Sequence, residues 1–154
     1  MAPSKLSSGM KIGSHNYFTL FLLLSALFSP LALGDEGNRV REFMQAYNRH
    51  DLSAMRALLA PQARWMSIEN NTLSVEAAGA DEILNAVGQF FSDRPETRSS
   101  LHLLQSSGDF VWAVEAAHSL QDGEPASQCA PVMYEFENGL IVNVWYFPIS
   151  KCPD

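Results

Sequence analysis

Two side chains of this sequence stand where they could move protons: Glu135 and His118. Glu135 lies in a β-rich run beside Met133, Val142 and Val144. Facing an apolar interior, its carboxyl would hold a proton more tightly than usual and suit general acid/base work. The plainer reading is a solvated charge at a rim. His118 shares an alternating face with Phe110, Trp112, Val114 and Ala116. A histidine beside an aromatic row can serve as an acid/base group; more commonly its ring nitrogens are satisfied by strand neighbours. Tyr47, Trp65 and Trp112 are candidate walls of a pocket, although each could simply fill core. Ser67 has no nucleophile setting, because the chain contains no Gly-x-Ser-x-Gly elbow. Two cysteines and scattered histidines form no zinc spacing, so neither a metal nor another cofactor is expected.

The element that must position Glu135 is a hairpin. The run from Ala130 to Phe147 is broken only by Asn138-Gly139. That dipeptide supplies the two positive-φ positions of a type I′ turn. In an unbroken register Glu137 faces Leu140, Tyr134 faces Asn143 and Met133 faces Val144. One face then carries Val132, Tyr134, Phe136, Ile141, Asn143, Trp145 and Phe147. The other carries Met133, Glu135, Glu137, Leu140, Val142, Val144 and Tyr146. Both faces are largely apolar, so the hairpin needs a partner on each side. The same register sets Cys129 opposite Pro148, four residues short of Cys152. A disulfide therefore requires the tail to turn back after Pro148, and pairing is left open.

The chain divides into a leader and one domain. Lys5 and Lys11 precede an apolar stretch from Tyr17 to Phe28, and Ala32-Leu33-Gly34 offers a small-x-small cleavage site. This pattern reads as a signal peptide over 1–34, too short in its apolar core for a comfortable membrane span. Export to the periplasm or outside the cell is expected, with no stable membrane insertion after cleavage. Residues 35–154 would form the mature domain, in which all 17 acids face 8 Lys and Arg. A formal charge of −9 argues against nucleic acid or anionic membranes as partners.

Within the domain, Val40, Phe43, Met44 and Tyr47 repeat at helical spacing. Asp51 can cap a second helix carrying Leu52, Met55, Leu58 and Leu59, which Pro61 stops. A strand from Ala63 to Glu69, an Asn70-Asn71 turn and a short strand from Leu73 to Ala77 follow. A third helix spans Asp81 to Phe91. Strands near Arg98–Ser106 and Phe110–Leu120 lead into the closing hairpin. Consecutive strands with helices grouped elsewhere indicate α+β architecture with an antiparallel sheet.

The segments Phe43-Met44-Gln45-Ala46-Tyr47-Asn48-Arg49-His50-Asp51-Leu52, Leu58-Leu59-Ala60-Pro61 and Ala80-Asp81-Glu82-Ile83, with the final hairpin, resemble the nuclear-transport-factor-2-like superfamily. The resemblance is to its SnoaL-like and ketosteroid-isomerase-like members, and it covers nearly all of 35–150. It implies a cone: a strongly curved antiparallel sheet packed on the N-terminal helices, an α+β roll of the cystatin kind, with a mostly apolar cavity and dimers formed through the sheet. Isomerase members use a tyrosine, an aspartate base and an aspartic acid at positions the resemblance carries onto Phe43, Ser67 and Met133. None of the three residues has the needed group, so the isomerase mechanism is not expected.

If Met133 faces the cavity, strand alternation turns Glu135 inward as well. The expected lining is then Phe43, Tyr47, Trp65, Ser67, Trp112, Met133 and Val144. The outward face, with Tyr134, Phe136, Trp145 and Phe147, would pair with a second copy. The first functional expectation is a module that binds a small apolar or aromatic molecule. The second is a SnoaL-like isomerase, cyclase or hydratase using Glu135 or His118. The third is an interaction domain with no ligand.

Overall fold

The structure, a computed structural model, describes residues 35–121 and 124–152. The expected leader lies outside the described residues. Helix α1 (Glu36–Asn48) and α2 (Leu52–Leu58) precede β1 (Leu59–Glu69) and β2 (Thr72–Ala78). Helix α3 (Ala80–Asp93) is followed by β3 (Arg98–Ser107), β4 (Phe110–Gln121), β5 (Glu124–Glu137) and β6 (Leu140–Tyr146). Asp51 Oδ1 accepts from the Ala54 backbone N–H at 2.9 Å and caps α2. The stripes on α1 and α3 are buried through Val40, Phe43 and Met44, and through Ile83, Val87 and Phe91.

Six strands form one sheet in the order β2-β1-β6-β5-β4-β3. The α+β architecture is as the sequence indicates, with one refinement. Strand β1 pairs with β6 in parallel, and the other four pairings are antiparallel, so the sheet is mixed. Helix α1 packs on β3 and β4, whereas α3 packs on β1 and β2. The core between them holds Val40, Met55, Ile83, Val111, Val132, Tyr134 and Ile141, each at most 1% exposed. Among the described residues no helix is long and apolar enough to cross a membrane.

The closing hairpin turns as expected, with Asn138 at φ 53° and Gly139 at φ 75°. Its faces are the reverse of those expected. Val132, Tyr134 and Phe136 point into the core, with 0%, 0% and 4% exposure. Met133 and Glu135 therefore lie on the outer face, because strand side chains alternate. A β-bulge adds a second change. Phe136 pairs with Ile141 but Glu135 pairs with Asn143, which leaves Val142 as an extra residue. Beyond it Tyr134 faces Val144 and Met133 faces Trp145. Val144 and Tyr146 share the inner face, while Asn143 and Trp145 face out.

The same slippage resolves the cysteines. Phe147 N–H donates to the Pro131 carbonyl at 3.0 Å, and further on Ser150 bridges Cys129. Two extra residues have accumulated relative to an unbroken hairpin, so Cys129 sits opposite Ser150 rather than Pro148. Cys152 is then within reach. The Cα atoms are 4.8 Å apart and the sulfurs are bonded.

Candidate functional site

The strands and helices enclose a cavity of about 480 Å³. This is within the usual range for small-molecule sites, roughly 300–1,000 Å³. The space exists because β4 and β5 present small side chains where they meet it. Ala117 and Ala130 line the cavity, and Val111 and Ala113 continue the same face of β4. Larger side chains close the remaining walls: Phe43 and Tyr47 from α1, Phe90 from α3, Trp65 from β1 and Tyr146 from β6. Trp65 stacks on Tyr146 with ring centroids 5.4 Å apart, and Tyr47 meets Phe91 edge-on at 4.9 Å.

The buried charged group in this wall is Glu115, only 6% exposed. Val111, Ala113, Glu115 and Ala117 occupy one face of β4, so the strand aims this carboxyl at the helices. The Tyr134 hydroxyl donates to Glu115 Oε1. The Tyr146 hydroxyl donates to Oε2 at 2.9 Å. Burial pushes the proton affinity of Glu115 above the ordinary carboxylate range, and the two phenol hydrogen bonds oppose it in part. Tyr134 and Tyr146 are raised by burial and by the neighbouring Glu115. Tyr47 is pushed up to about 12 by burial and then by Glu115, with Arg98 acting in the opposite sense. Three phenols that stay protonated thus surround one carboxyl whose charge is disfavoured. Such a carboxyl can hold or release a proton nearer neutral pH than a solvated one, which is the requirement for general acid/base chemistry.

Of the residues singled out from the sequence, Phe43, Tyr47, Trp65 and Ser67 line the cavity. Val144 lies on the inner face, 5% exposed, packed in the core rather than in the lining. Trp112 and Met133 do not reach the cavity. They pair with each other across β4 and β5 on the outer face, where Trp112 is 42% exposed and lies 5.7 Å from Phe147. Glu135 is also outside. It accepts from Asn143 Nδ2 at 2.6 Å, and Asn143 Oδ1 accepts from Arg64 Nε at 2.9 Å, so it closes a polar chain on the outer surface. His118 joins three strands on that surface, with Nε2 2.8 Å from Ser100 Oγ and Nδ1 2.8 Å from Ser127 Oγ. Both of its nitrogens have partners, as in the plainer reading of this residue. His50 stacks on Phe91 at 4.0 Å.

The placement of Met133 also revises the comparison with isomerases. Phe43 and Ser67 do face the cavity, but the inward neighbours of Met133 are Val132 and Tyr134. An acid is present after all, one strand over, as Glu115. Alternation along β4 could have revealed it, since Glu115 is the one charged residue between Phe110 and Gln121. The bulk of Phe110, Trp112 and Val114 drew the inner face to the wrong side of that strand.

Among the described residues, His102, Cys129 and Cys152 bring ligand atoms within 4.8 Å of one another. The sulfurs are spent on their mutual bond, and a metal could use them only after reduction.

Solved structures place this architecture among known folds. The fold is similar to IdmH from Streptomyces antibioticus, a proposed polyketide cyclase, at 18% identity and TM-score 0.61, covering 73% of this chain and 90% of that one. It is also similar to a nuclear-transport-factor-2-like protein of unknown function from Burkholderia pseudomallei, at 24% identity and TM-score 0.60, covering 72% and 88%. A cystatin-fold protein from Novosphingobium aromaticivorans matches at 18% identity and TM-score 0.62, covering 73% and 97%. At these identities the likeness speaks to the fold alone. No curated protein matches in sequence. The profile of the SnoaL-like domain, however, matches residues 40–144, from the first buried valine of α1 to the inner face of β6, and the chain belongs to that family.

Proposed function

We propose that the cavity binds a small, largely apolar or aromatic molecule and that Glu115 transfers a proton to or from it. The observation that carries this reading is the pairing of a buried carboxyl with two phenol donors in the wall of a mostly apolar cavity of about 480 Å³. Apolar walls orient the molecule, and one poised group acts on its polar atom. Isomerisation, cyclisation and dehydration all need such a proton transfer. The likeness to a proposed polyketide cyclase makes aromatic and polyketide-like compounds the first to screen. Any turnover found should fall by about 10²- to 10⁴-fold in Glu115→Gln. It should persist in Glu135→Gln and His118→Gln, which alter the outer surface. Turnover indifferent to Glu115 but lost with Glu135 would reverse the assignment. Binding without turnover, unaffected by pH, would leave a carrier in place of an enzyme.

Self-association is part of the same proposal, on a corrected surface. Tyr134 and Phe136 are buried and take no part in it. Met133, Trp145 and Trp112 face outward together, beside Phe110 at 38% and Leu103 at 54% exposure. An apolar patch of this kind is covered most simply by a second copy through an isologous contact. Trp112→Glu should shift a sedimenting dimer to monomer; a wild-type chain that is monomeric at micromolar concentration would contradict it.

Export is supported by the basic, apolar and small-residue order of 1–34 and by the Cys129–Cys152 disulfide, which persists in oxidising compartments. N-terminal sequencing of exported material should begin near Asp35. Full-length protein retained in the cytosol would refute this.

A further inference from the structure

The charged residues lining the cavity are of one sign. Glu69, Glu76 and Glu115 contribute to the wall, and among the described residues no Lys, Arg or His does. Glu115 lies deep, whereas Glu69 and Glu76 are exposed where the cavity meets solvent. The acids at the mouth are not incidental products of an acidic surface. Trp65, Ser67 and Glu69 are successive inward residues of β1, so one strand face sets an indole, a hydroxyl and a carboxylate in a row. Across from them β2 carries a bulge. Trp65 pairs with Ala77 and Met66 pairs with Val75, which leaves Glu76 as the extra residue. Bulges re-aim side chains next to functional sites. Here the bulge brings Glu76 to Ser67, whose hydroxyl donates to Glu76 Oε1 and fixes the carboxylate beside Trp65. Among the described residues neither Glu69 nor Glu76 has an ion-pair partner, the ion pair found being Arg56 with Asp81.

This arrangement discriminates by charge. A carboxylate or phosphate ligand would meet only like charge and no donor cation. An ammonium group would meet two carboxylates without cationic partners and the indole of Trp65, whose ring attracts cations through its quadrupole and has one face stacked on Tyr146. Apolar walls beyond the mouth, including Phe43, Phe90 and Tyr146, would take the rest of the molecule. Building on the proposed ligand-binding role, we infer that the cavity selects a small apolar or aromatic molecule bearing a protonated amine, held at the mouth by Glu76 and Glu69 against Trp65.

Three naphthalenes of similar size test this: naphthylmethylamine, naphthylmethanol and naphthoate, measured by equilibrium dialysis against the disulfide-bonded protein at neutral pH. The amine should bind about three- to tenfold more tightly than the alcohol, the scale of one partly solvated cation–π contact with a screened ion pair. Naphthoate should bind most weakly, and added salt should shrink the advantage of the amine. In the Glu69→Gln/Glu76→Gln protein, checked for native circular dichroism, the preference for amine over alcohol should vanish while both compounds still bind. Equal binding of amine and alcohol would overturn the charge selection and leave the apolar cavity standing. A preference for amine that survives the double substitution would overturn the assignment to Glu69 and Glu76. Failure of all three compounds to bind would remove both this inference and the binding role beneath it.

Discussion

Replacing Glu115 by Gln is expected to stabilise the fold at neutral and alkaline pH and to change it little below about pH 4, the ordinary glutamate range. Burial raises the proton affinity of Glu115 in the folded chain relative to its ordinary value of 4.5. Between the unfolded and the folded value, the folded chain holds a proton that the unfolded chain has lost. Stability from this group is therefore full below the unfolded value, falls as pH rises through that window, and levels off above it. Glutamine has nearly the same shape and does not titrate, so it removes the slope. Each unit of upward shift corresponds to about 1.4 kcal/mol, and a domain of this size changes its melting temperature by about 4 °C per kcal/mol. Thermal melts of both proteins across acid to alkaline pH should converge in acid and separate in base, the variant melting higher. Tyr134→Phe, which removes a donor to Oε1, should steepen the loss in base, although the missing hydroxyl also lowers stability throughout. Parallel curves for wild type and Glu115→Gln would mean that the carboxyl is ordinarily solvated, and its acid/base role would fall with that.

Cleaving the disulfide is expected to have the larger structural effect. Cys129 and Cys152 are 23 residues apart, and closing a loop of that size stabilises a fold by about 3 kcal/mol in the chain-entropy account. Reduction, or Cys152→Ser, should lower the melting temperature by about 10 °C. The effect should extend to the cavity. Phe147 and Ile149 line it and lie between the end of β6 and Cys152. Without the bond, the backbone hydrogen bonds of Phe147 to Pro131 and of Ser150 to Cys129 would remain to hold that segment in place. Apolar probes should then bind more weakly to the reduced protein. Full thiol release with an unchanged melt and unchanged probe affinity would show that the tail is held by packing alone.

Most elements were legible in the sequence because their signals are local. The stripe Val40-Phe43-Met44, the Asp51 cap and the Asn138-Gly139 turn each specify their element without reference to the rest of the chain. The inner and outer faces of β5 and β6 were not legible, because both faces of that hairpin are apolar. Alternation then gives no sign of which one meets the helices, and a single extra residue inverts everything beyond it. Val142 is such a residue, and nothing in its type marks a bulge. Reading Met133 as inward moved Glu135 into the cavity and Tyr134 out of the core. The site suffered most, because its central residues, Glu115, Tyr134 and Tyr146, come from three strands whose faces must all be correct together. The small residues Ala117 and Ala130 were the overlooked signal: they leave the cavity its room, while the aromatic row of Phe110 and Trp112 belongs to the outer surface.

The most direct test of this account is where an apolar ligand binds. An environment-sensitive naphthalene dye titrated against the mature protein should give saturable binding. Ala117→Trp, which sets an indole in the mouth of the cavity, should abolish that binding without unfolding the protein, and Trp112→Phe on the outer face should leave it intact. Binding that survives Ala117→Trp and is lost with Trp112→Phe would place the ligand on the outer surface and contradict the assignment of the site around Glu115.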